Sequence, residues 1–143
     1  MKIKFLKIRE SIRLITVLTM FFALPALAQT SDFTVTGGAE GTDWEFNAGV
    51  LTIKTGTAIT IANTAPATPT TNRIVVSSGA TANITLNGVN INITAAYTAA
   101  FDMTGSTVNL TLEGTNTLKS GLSRAGLEVP AGATLVITAL PLR

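Results

Sequence analysis

The fold is decided by GATANITLNGVN at 79–90, which returns as GSTVNLTLEGTN at 105–116 and, shortened, as GATLVIT at 132–138. The copies align without gaps and begin 26 and 27 residues apart. Ala82, Ile84 and Leu86 alternate with Thr81, Asn83 and Thr85; Val108, Leu110 and Leu112 alternate in the same way with Thr107, Asn109 and Thr111. An apolar period of two, enriched in β-branched residues, marks a strand with one buried face. A shorter strand precedes each copy: IVV at 74–76, FDM at 101–103 and LEV at 127–129. A unit this small cannot bury its apolar face alone, but it can when successive coils stack. The pattern therefore predicts an all-β chain, a single-stranded parallel β-solenoid of about 26-residue rungs. Ile84, Leu110 and Ile137 should share one inward column, and Ile74, Phe101 and Leu127 another.

Working outward from the repeat, GVLTIKTGTAITI at 49–61 reads as two more strands, and the Ala-, Thr- and Pro-rich stretch 62–72 as a corner loop. Residues 29–48, with Phe33, Val35, Trp44 and Phe46, are expected to form an N-terminal cap. An uncovered rung would offer unpaired backbone groups to any other strand. Residues 49–143 then make the rungs. The last strand, LVIT at 135–138, is followed only by ALPLR, so the C-terminal end is expected to be incomplete, a truncated copy. Its open rung would be a template for self-association.

Before the repeat lies a different kind of segment. Of the ten Lys and Arg, five (Lys2, Lys4, Lys7, Arg9 and Arg13) crowd the first thirteen residues. LITVLTMFFALPALA follows at 14–28, short of the ~20 apolar residues that a spanning helix needs. A charged start, a short apolar run and the small-x-small ending Ala26-Leu27-Ala28 predict a secretory signal peptide over 1–28, and so a secreted or cell-surface protein. The remaining chain sets five cations against seven acids, a net charge of −2, which gives no support to binding a phosphate backbone. With no Cys and no His, disulfide frameworks, His-activated nucleophiles and the usual zinc ligand sets are excluded.

ITLNGVNI, LTLEGTNTLKSG and AGLEVPAGATLVIT together resemble the secreted bacterial right-handed parallel β-helix proteins described as carbohydrate-binding domain proteins, non-catalytic relatives of the pectate-lyase architecture. The resemblance covers roughly residues 49–138. It implies an extracellular module that binds polysaccharide, with calcium in some members. Such chains normally continue through further rungs after the GATLVIT strand.

Candidate binding residues fall into two groups. Thr81, Thr107 and Thr134, with Thr85, Thr111 and Thr138, should form outward rows flanking Asn83, Asn109 and Val136. Thr suits any pleated surface, but a flat hydroxyl face with rows ~4.8 Å apart also suits an extended or crystalline ligand, cellulose or ice. Arg73, Tyr97, Lys119 and Arg124 should gather on corner loops, where cations could hold a uronate carboxylate and the Tyr could stack on a sugar face; ordinary loop solvation explains the same residues. Asp102 and Glu128 should share an outward column below Val75. Their repulsion would be relieved by a cation such as Ca²⁺, although two acids fall short of its six to eight oxygen ligands. As a glycosidase pair they stand too close and lack a cleft, so no enzyme is expected. The leading expectation is a polysaccharide-binding module without catalytic residues. An adhesin-like or structural surface repeat and an ice-binding solenoid are the alternatives.

Overall fold

The computed structural model describes residues 31–139, and the expected signal peptide lies outside them. No helix occurs among the described residues; stacked coils of about 26 residues make a β-solenoid of about three turns. The chain opens with β1 (Phe33–Thr36) and β2 (Trp44–Asn47). Three coils follow: β3 (Val50–Ile53) and β4 (Ala58–Asn63); β5 (Arg73–Val76), β6 (Thr81–Asn87) and β7 (Asn90–Asn92); β8 (Phe101–Asp102), β9 (Thr107–Glu113) and β10 (Thr117–Lys119). A fourth begins with β11 (Leu127–Glu128) and β12 (Thr134–Ala139).

Stacking gives three faces. A long sheet runs β1-β4-β6-β9-β12, a short sheet runs β11-β8-β5-β3-β2, and β7 pairs with β10 on the third. All rung-to-rung pairing is parallel, in the register that the repeat dictates: Ile59 on Ile84, Ile84 on Leu110 and Leu110 on Ile137. The second inward column is Leu51, Ile74, Phe101 and Leu127. These side chains meet Val89, Ile91 and Met103 in one continuous core. Its upper end differs: Ile84 and Leu110 are each 2% exposed, whereas Ile137 is 51% exposed because no described coil lies on it.

At the other end the chain reverses direction. β1 runs antiparallel on β4 and β2 antiparallel on β3, so Phe33 is buried and Val35, Trp44 and Phe46 pack against the first coil. Trp44 Nε1 donates to Gly37 O at 3.2 Å. Asp43 ties the turn to the coil: its carboxylate accepts from the Thr55 hydroxyl at 2.6 Å, the Ala39 amide at 2.8 Å and the Thr57 hydroxyl at 3.0 Å. Those bonds, in that order, hold its carboxyl below the ordinary value.

The stretch 62–72 is more than a corner loop. Ala62 and Asn63 finish β4, and Thr70 makes a parallel bridge to Ile91, giving the first coil its own contact on the third face. That face reflects the alternation of Val89, Ile91 and Ile93, all buried. Coils approach so closely at one corner that a Cβ on Gly121 would strike the Ala95 carbonyl.

Candidate functional site

The outward rows of the long sheet are longer than the repeat alone reveals. Thr85, Thr111 and Thr138 are continued by Thr60 and, across the antiparallel cap strand, by Thr36. At one strand spacing per step, this column of five hydroxyls crosses about 19 Å. Thr81, Thr107 and Thr134 make a parallel row of three, about 13 Å along the strand direction. Thr36 and Thr60 escaped the sequence reading because β1 and β4 lie outside the repeated motif. Pairing β1 antiparallel nevertheless keeps the period of two, so its polar residues join the same face.

Between the Thr columns stand Asn83, Asn109 and Val136. Gly56 O can only accept, so Asn83 must present Nδ2 to it, at 2.7 Å. The Asn83 Oδ1 then faces Asn109, whose Nδ2 donates to it at 2.9 Å. The amides form a polarised ladder along the axis, and it stops at Val136, which has no polar group to continue it. Asn90 and Asn116, at the same place in successive copies of the repeat, bond to the backbone: Asn90 Nδ2 donates to Pro66 O and Asn116 Oδ1 accepts from the Val89 amide.

The outward face of the short sheet is charged. Asp102 and Glu128 do share a column, next above Val75. Each has a guanidinium beside it: Arg73 lies 3.5 Å from Asp102, and Arg124 contacts Glu128 four residues on. Burial pushes the Asp102 carboxyl up, but hydrogen bonds from the Thr104 hydroxyl and amide, with the charges of Arg73 and Arg124, bring it below its ordinary value. The repulsion that suggested a cation is thus balanced within the protein. Among the described residues, no group of three or more acids could hold a metal ion.

The four residues expected together on corner loops are divided. Arg73 belongs to β5 and Lys119 to β10, because each continues its strand's alternation; only Tyr97 and Arg124 sit in connecting segments. Arg73 and Arg124 are committed to Asp102 and Glu128, and Lys119 makes no ion pair among the described residues. Tyr97 is 73% exposed at φ 59°, one rung below Ser123 at φ 64°, so consecutive corners repeat a left-handed bend. Its amide donates to Leu122 O at 2.8 Å.

A cavity of about 270 Å³ lies where β4 leaves the long sheet, lined by Asp32, Asn63, Thr64 and the loop up to Thr70. Sequence reading had assigned Asp32 no role. Comparison of the chain with models of protein families, with curated proteins and with solved structures finds no match.

Proposed function

We propose that the protein is an exported, non-catalytic module that lays the Thr/Asn face of its long sheet against an extended, neutral polysaccharide. The observation that carries this reading is the column of five Thr running Thr36, Thr60, Thr85, Thr111 and Thr138 beside the Asn83–Asn109 ladder. It is a two-dimensional array of hydroxyls and amides fixed by backbone pairing, so little side-chain entropy is lost when a ligand settles on it. Among the described residues of those rows the only charged side chain is Glu113, at the end of β9. Acidic glycans are the weaker choice, because Arg73 and Arg124 already serve carboxylates of the protein. Export rests on the charged start and short apolar run at the N-terminus, and the choice of polysaccharide as ligand on the resemblance of the rung motifs to those of carbohydrate-binding β-helix proteins.

The test is depletion of the purified chain by microcrystalline cellulose, chitin and calcium pectate. Binding to a neutral polymer is expected to weaken at least about fivefold in Thr85→Ala/Thr111→Ala, since each lost hydrogen bond is worth ~0.5–1.5 kcal/mol. Failure to bind either neutral polymer, or binding that the double variant leaves unchanged, would overturn the reading. The same hydroxyl grid could engage ice, and thermal hysteresis lost in the double variant would assign it that role instead.

A further inference from the structure

We propose that the cavity between Asp32 and the loop at 64–70 is a separate site for a single sugar ring, a chain end or side branch of the polysaccharide; the choice of ligand rests on the reading above. The walls are built before any ligand arrives. Thr64 N donates to Asp32 O at 2.8 Å, fastening the loop to the start of β1. Thr70, 4% exposed, donates its hydroxyl to Asp32 Oδ2 at 2.5 Å, and Asn72 Nδ2 donates to the same oxygen at 3.1 Å. Asn63, 5% exposed, is consumed in holding the floor: its Nδ2 donates to Asn90 O at 2.9 Å and its Oδ1 accepts from Asn90 N at 3.0 Å.

What this leaves is chemically specific. One carboxylate oxygen of Asp32 is fixed by two donors, while Oδ1 receives no hydrogen bond and the group no ion pair among the described residues. A carboxylate held in this way is an acceptor for ligand O–H groups, and bonds to a charged acceptor are stronger than neutral ones. Ala65 and Pro69 supply an apolar wall. A sugar ring has the matching pair of surfaces, hydroxyls at its edge and C–H groups on its face. At about 270 Å³ the cavity lies just under the range of ordinary small-ligand pockets, which suits one ring. The site also adjoins the Thr face, since Thr34 Oγ1 lies 3.4 Å from Thr64 Oγ1.

Saturation-transfer NMR with the methyl glycosides of glucose, galactose, mannose and N-acetylglucosamine tests the site without any polymer. Transfer is expected to at least one glycoside, with affinity about tenfold lower in Asp32→Asn and transfer abolished in Ala65→Trp, circular dichroism confirming that both variants fold. No transfer to any of the four, or transfer unchanged in both variants, would overturn the proposal. The two readings fail separately: cellulose or chitin depletion that survives Asp32→Asn while no glycoside binds removes only the pocket. Glycosides that bind while neither polymer does remove only the Thr face.

Discussion

The column Ile59, Ile84, Leu110 and Ile137 allows the solenoid to be tested with one kind of substitution at two heights. Leu110 is 2% exposed between Ile84 and Ile137, so Leu110→Ala leaves a cavity that neighbouring coils cannot close, at a cost of ~2–5 kcal/mol. Ile137 occupies the same inward position but is 51% exposed. About half of its transfer energy was never gained, and the space left by Ile137→Ala opens to water rather than forming a void. The expected cost is about 1 kcal/mol. Urea unfolding followed by circular dichroism measures both, and Trp44, the only Trp, reports independently from the opposite end. Repeat arrays can lose a terminal coil alone. Ile137→Ala should therefore speed hydrogen exchange at β12 amides without moving the Trp44 transition, whereas Leu110→Ala moves both. Equal costs at the two positions would refute the inference that the last described coil presents its apolar interior to water.

Two further outcomes follow from the outward columns. Val136→Asn continues the amide ladder by one rung, since the new Nδ2 can donate to Asn109, and should stabilise by ~0.5–1 kcal/mol in the same urea assay; a clear loss would show that the ladder does not propagate. Asp102 has a folded-state carboxyl lowered from its ordinary value, so its ionised form adds stability above the unfolded value that is lost as pH falls through the folded one. Asp102→Asn should accordingly be less stable than the parent near neutrality, with the two unfolding curves converging in acid; a gap independent of pH would rule out the charge as its cause.

The long strands and their register were legible because a repeat states the same alternation several times, and Ile84, Leu110 and Ile137 could be aligned by inspection. The cap lacked that support. Its apolar residues were visible, but the reversal that puts β1 antiparallel on β4 depends on how the first coil closes, and nothing in FTVT alone encodes it. Individual side-chain partners were less legible still. Arg73 and Arg124 look like solvated cations in sequence, because Asp102 is 29 residues from the first and the helix-like spacing of Arg124 and Glu128 falls among strands of period two. Asp32 was invisible as a site for the same reason: its partners Thr70 and Asn72 are 38 and 40 residues away and belong to no repeated motif.

The distribution of charge between the two broad faces bears most directly on function. Outward positions of the short sheet carry Arg73, Asp102 and Glu128, whose charges are matched by the Arg73–Asp102 and Arg124–Glu128 contacts. The long sheet departs from that. Each of its five strands contributes outward residues, and Thr or Asn recurs among them from coil to coil. Charges there would each carry a firmly held hydration shell that a flat neutral ligand must strip away, whereas hydroxyls exchange water for ligand at little net cost. Thr also loses little rotamer freedom on a crowded face because its χ1 is already restricted. For the polysaccharide reading proposed above, a rigid and regular face whose rows carry one charge among the described residues, Glu113, is the kind of surface that another array of repeating hydroxyls could meet without stripping ions of their hydration.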